Sequence, residues 1–144
     1  MNYATSIATV SVQETIEPEV QGVWVGLGYD AATISWPNVK FTPPRDDFWL
    51  ESVMNFGESQ PFIFYGAGQG INQKTAILIL TVRGPKTVGL RSYYVAADAV
   101  IAHFTRKHFG GVYTEISDGP VNLSEEAFAA VQVAIILRYY ESAG

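Results

Sequence analysis

A chain of 144 residues that is 48% hydrophobic and 13% aromatic carries enough apolar side chain for a real core, and one globular α+β domain over residues 1–144 is the expectation. Fourteen acidic residues against nine basic ones give a formal net charge of −5. No long-range positive field then draws the chain to nucleic acid or to an anionic membrane, which argues against sequence-specific DNA reading. With no cysteine there is no disulfide framework, thiolate metal site or thiol nucleophile.

Met1–Val10 has neither a basic n-region nor an apolar h-region, and its β-branched and small polar residues read as an extended arm that orders on a neighbour. Apolar runs such as Ala76–Leu80 and Val133–Leu137 are too short to span a bilayer, so a soluble, unprocessed protein is expected. Val12, Ile16, Val20, Val23, Trp24 and Leu27 recur at helical spacing, and Ser11 with Glu14 has the form of a capping box. A first helix over about Val12–Trp24 follows. Pro18 removes a backbone bond inside it and moves the expected start toward Thr15. Thr33–Trp36 is a short strand stopped by Pro37-Asn38, and Phe41-Thr42-Pro43-Pro44 forces an extended corner. Phe48–Phe56 reads as a strand with Phe48, Leu50, Met54 and Phe56 toward the core.

Gly57–Pro61 breaks that strand, Phe62–Tyr65 resumes it, and Gly66–Gly70 is a flexible excursion before Lys74–Arg83. Together these make a long antiparallel hairpin with an irregular tip. Thr75–Val82 is nearly continuous in apolar residues, which predicts a central strand covered on both faces. Beyond the Gly84–Gly89 turn, Leu90, Tyr94, Ala97, Ile101, Phe104 and His108 predict a helix over Leu90–His108 closed by Gly110-Gly111. Val112–Ile116 is a short strand and Asp118-Gly119-Pro120 a turn. Phe128–Tyr140 fits two states. Ser124 with two glutamates behind it could start a helix, whereas Val131, Val133, Ile135, Leu137 and Tyr139 keep a period of two and favour a last long strand. The fold class is therefore α+β: a mixed, mainly antiparallel sheet with a long β-hairpin, packed against two helices on one side.

Chemistry-bearing patterns are sparse. The GAGQG run at Gly66–Gly70 lacks the following helix that a phosphate-cradling loop needs. His103 and His108 are five residues apart, about 140° round a regular helix, which is the wrong spacing for two metal ligands on one face. Glu14, Glu17, Glu19, Asp46 and Asp47 read as solvated carboxylates, because nothing near them demands the cleft that general acid/base work requires. Arg45, Lys74, Arg83, Lys86, Arg91, Arg106 and Lys107 are scattered without the aromatic interleaving of a single-strand binding groove. No nucleophile elbow is present.

Taken together, Ser35-Trp36-Pro37-Asn38-Val39-Lys40-Phe41-Thr42-Pro43-Pro44, Gly66 and Gly70, Ala76–Val82, Gly84-Pro85-Lys86-Thr87-Val88-Gly89 and the Ala96-Ala97-Asp98…Ile101…Phe104 helix, in that order over residues 12–140, resemble the tail terminator-like proteins of tailed bacteriophages. The resemblance implies a non-enzymatic virion structural protein with no cofactor. Such a protein assembles as a homohexameric ring at the head-proximal end of the tail, caps the tail tube, stops its polymerisation and joins it to the neck and connector proteins. Its implied partners are itself, the tail tube protein and the neck proteins, with DNA passing through the lumen unread and no membrane involved.

Hairpin tips, corners and arms supply pairing sites for ring neighbours, so the expected contact residues are Phe41, Pro43 and Arg45 in the corner and Gly66, Gln69, Gly70, Asn72 and Lys74 in the hairpin, besides the amino-terminal arm. Two other readings stay open. One is a tail tube or other neck-completion subunit. The other is a small ligand-binding or enzymatic domain with a pocket between the long helix and the sheet, near Tyr93, Tyr94 and His103.

Overall fold

The computed structural model describes residues 9–64, 70–86, 89–125 and 127–142. Helix α1 (Thr9–Gly26) runs unbroken through Pro18, so the expected restart at Thr15 does not occur. The proline costs about 3 kcal/mol. Opposing it, Val12, Ile16, Val20 and Trp24 are all at most 1% exposed, and burial of each is worth about 1.5–3 kcal/mol. Pro18 itself sits on the exposed side of the helix. The first two helical residues, Thr9 and Val10, also belong to what the sequence assigned to the arm; residues 1–8 lie outside the described part.

A 3-10 turn (Ala31–Thr33) follows, started by Asp30, whose Oδ1 accepts from the Ala32 N–H at 2.9 Å. Thr33 returns to α1 by accepting from Trp24 Nε1 at 2.8 Å. Strand β1 (Ile34–Ser35) then pairs in parallel with the start of β2 (Trp49–Phe64), Ile34 opposite Leu50 and Ser35 opposite Glu51. Strand β3 (Gly70–Gly84) returns antiparallel to β2, with register shifts between Phe56 and Ser59 and between Pro61 and Ile63. The predicted long hairpin is thus present, but the break expected at Gly57–Pro61 is not: β2 runs through it as one strand, and the glycine and proline only shift its register. The last long strand, β7 (Ala129–Ser142), is a strand rather than a helix, and lies antiparallel along the whole of β3. Ser124 serves a loop instead of a helix start: its Oγ accepts from the Ala130 N–H at 3.2 Å.

The helix expected over Leu90–His108 is shorter, α2 (Arg91–Phe104). Thr105 turns extended and Arg106 takes a left-handed φ of 52°. The orphan Phe104 carbonyl accepts instead from the Thr114 hydroxyl, whose oxygen accepts from the Lys107 N–H at 2.7 Å. His108 therefore falls in β4 (His108–Phe109), paired with β5 (Val112–Thr114), and Gly110 sits in the turn between them rather than closing the helix. A strand the sequence reading took for a turn, β6 (Asp118–Asn122), pairs with β7 beside β5. The sheet order is β1-β2-β3-β7-β5-β4, with β6 joining β7.

Both helices lie on one face of this sheet. The core joins their buried residues to Leu50, to Ala76, Leu78, Leu80 and Val82, and to Val131, Val133, Ile135, Leu137 and Tyr139. The expectation that β3 is covered on both faces fails, since Ile77 is 43% exposed between Ala76 and Leu78, which are at most 1% exposed. Its face carries the row Asn55–Ile77–Ile136, over which neither helix lies. Phe56 shares the core-facing side but stays 36% exposed, edge-on to Tyr139.

Candidate assembly surface

The proline corner walls a cleft. Phe41 lies against Trp49, ring centroids 5.2 Å apart, while Pro43, Pro44, Arg45 and Asp46 wall a cleft of about 590 Å³ completed by Trp49, Glu51, Arg83, Lys86 and Phe128. Strand alternation explains the composition. With Leu50 turned into the core, Trp49 and Glu51 point to the face without helices, directly opposite Arg83 and Thr81 of β3. The Arg83 guanidinium sits 5.8 Å from the Trp49 ring and 5.4 Å from the Phe128 ring, and bonds Glu51 at 3.2 Å. Its Nε is buried without a hydrogen-bond partner among the described residues. Arg45 and Lys86 enter no ion pair among those residues, so the cleft offers two cations on an apolar, proline-rich floor.

The hairpin residues lie elsewhere. Asn72 stands opposite Pro61 and Lys74 opposite Ser59, with Gly70 opposite Phe64, in a three-stranded ribbon of β2, β3 and β7. Asn72 and Arg83 are eleven positions apart along β3, about 37 Å at 3.4 Å per residue. Corner and hairpin are therefore two sites at opposite ends of the sheet, not one. Gly66 and Gln69, and most of the GAGQG run, lie outside the described residues; the element that follows them is β3, a strand.

Of the residues expected around a pocket between helix and sheet, Tyr93, Tyr94 and His103, the structure does not bring Tyr93 and His103 together. Tyr93 is fully buried, edge-on to Phe48, and donates to the Pro85 carbonyl at 2.7 Å. His103 lies at the other end of α2, stacked on Phe109 and 2.9 Å from Glu19 Oε1. Of the five carboxylates read as solvated, Glu19 thus has a partner, and Glu17 is half-buried with its carboxyl raised above the ordinary range by desolvation. Glu17 instead lines a second, larger cleft of about 980 Å³ between α1 and the Trp36–Val39 loop. No group of three or more His, Cys, Asp or Glu among the described residues is placed to hold a metal ion, and no helix among them is long and apolar enough to cross a membrane.

The sequence reading missed Arg83 and Phe128 as parts of the corner. A lone arginine in an apolar strand beside a glycine was the available signal, because such a charge needs rings or a carboxylate around it.

The chain is thus a two-layer α+β protein with both helices on one sheet face and a long hairpin ribbon. The family model for phage tail terminator proteins matches residues 23–139, and the chain belongs to that family, whose members are structural proteins of the phage tail. Eight solved chains match it. One of them aligns with a TM-score of 0.68 at 18% identity, covering 93% of this chain and 96% of the other, a likeness that shows the fold alone. No curated protein matches.

Proposed function

We propose that this chain is the tail terminator subunit itself: copies close into a six-membered ring that caps the head-proximal end of the tail tube, halts its polymerisation and joins it to the neck proteins, with DNA passing through the lumen. The family match over residues 23–139 carries the reading. An open sheet edge supports it. β1 covers only Leu50 and Glu51 of β2, and from Ser52 to Phe64 no described strand pairs with the outer edge. An uncovered edge of that length is a template for another chain, and one that natural monomers avoid. The corner (Phe41, Pro43, Arg45) and the hairpin (Gly66, Gln69, Gly70, Asn72, Lys74) are the proposed contact elements, and their separation suits two different neighbours.

Light scattering over a concentration series, with negative-stain imaging, tests this. Closed rings of one mass are expected, alone or on tail tubes. Open-ended tubes would reassign the chain to the tube, and a chain that stays monomeric and ignores added tubes would remove the reading. Rings that survive deletion of residues 57–73 would remove the hairpin from the contact.

A further inference from the structure

An acidic cleft and a basic turn form two separate patches of the surface. The cleft, of about 980 Å³ between α1 and the loop after β1, has apolar walls, Pro18, Val25, Trp36 and Val39, with Glu14 and Glu17 as its only charged lining residues. Val25 and Val39 are 47% and 59% exposed, and neither glutamate enters an ion pair among the described residues.

At the β4 end, Arg106, Lys107 and His108 are consecutive and exposed. Their backbone is fixed: Arg106 N–H donates to the Glu115 carbonyl at 3.2 Å and Thr114 N–H to the Lys107 carbonyl at 2.9 Å, while the His108 ring stacks on Tyr113 at 4.3 Å. Neither Arg106 nor Lys107 has an ion-pair partner among the described residues. Within one chain the two features face different ways. Gly110, in the basic turn, lies against Thr15 of α1, and Glu14, Glu17 and Gln21 project about 100° to 160° round the helix from Thr15.

The geometry points to a head-to-tail contact in which the Arg106–Phe109 turn of one copy seats in the α1 cleft of the next, Arg106 and Lys107 against Glu14 and Glu17. The occupant is a second copy because the charges balance two against two, and because cleft and turn are two different patches of one surface, as a repeating heterologous contact requires. A rigid basic turn entering an apolar, acidic cleft forfeits little conformational entropy. This contact rests on the ring reading and adds its chemistry.

Charge reversal tests it on the full chain. E14K/E17K and R106E/K107E should each lose the fixed-mass ring and remain folded by circular dichroism. An equimolar mixture of the two should regain it, since each mutant face then meets an opposite charge in an alternating even-numbered ring, and the fourfold variant should assemble alone. Rings untouched by both double variants would overturn the contact while leaving the ring intact. Loss in the cleft variant only, without rescue by the mixture, would assign the cleft to another occupant and overturn it also. A wild-type chain that forms no ring, alone or on tubes, would remove the ring reading and this contact together.

Discussion

At Gly84 the space left by two neighbours, Tyr93 and Phe48, admits a hydrogen and nothing larger. A Cβ there would lie 2.7 Å from Tyr93 Oη, 3.1 Å from Phe48 Cδ1 and 3.3 Å from Phe48 Cα. Gly84→Ala should therefore destabilise the fold by about 1–3 kcal/mol in denaturant titration, the usual cost of overpacking. Tyr93→Phe loses the bond to the Pro85 carbonyl and should cost about 1 kcal/mol at neutral pH. The Tyr93 hydroxyl is pushed up to about 12, by burial first and by Tyr29 second. Because the folded state holds the proton more tightly than the unfolded chain, this stabilisation is fully present below the ordinary tyrosine range near pH 10. It fades as the pH rises toward 12. Unfolding of wild type and Tyr93→Phe followed from pH 9 upward should show the two converging; a constant gap would refute the assignment. Glu17 is raised too, so its ionised form is penalised at neutral pH, and Glu17→Gln should be at least as stable as wild type at pH 7 and lose that advantage in acid.

At the scale of elements, long periodic segments were legible and short ones were not. β7 announced itself through five residues at a period of two, and α1 through four buried residues strong enough to override Pro18. β4 and β6 offer two and five residues, too few for a local period to show, and they exist as strands only through their pairing with β5 and β7. The end of α2 was misplaced because the apolar spacing continues to His108, whereas the stop is made by a side chain ten residues beyond Phe104. Thr114→Val should remove that stop, costing about 1–2 kcal/mol and loosening the Arg106–Phe109 turn, with faster amide exchange at Lys107 as the readout. Of the residues proposed for contact, the corner could be read from two prolines and an aromatic, but the cation between Trp49 and Phe128 needed the fold to bring residues 49, 83 and 128 together. On the open edge of β2, Asn55→Lys adds a charge at an exposed position, and should leave monomer stability within about 0.5 kcal/mol while weakening the oligomer. An unchanged oligomer mass would exclude that edge as a contact.

For the whole molecule, the layout is asymmetric, with helices on one sheet face only and with an acidic cleft and a basic turn as separate patches. Net charge of −5 would make identical subunits repel in bulk, so local attraction between unlike patches must outweigh it if copies close into a ring. Assembly should then weaken as salt rises from about 50 mM to about 1 M, where screening shrinks to roughly 3 Å. A light-scattering mass that holds or grows with salt would show that burial of apolar surface, not charge, holds the copies together.

The pairing of β3 with β7 continues through fourteen residues without a register shift, from Ile71 opposite Ser142 to Gly84 opposite Ala129. Tension applied along the strands would load the rungs of this ladder side by side instead of opening them one after another. The subunit is therefore built to resist shear along its length and to yield to peeling across it, an anisotropy of strength that a pulling experiment from residues near the ends of β3 and β7 would register as two very different rupture forces.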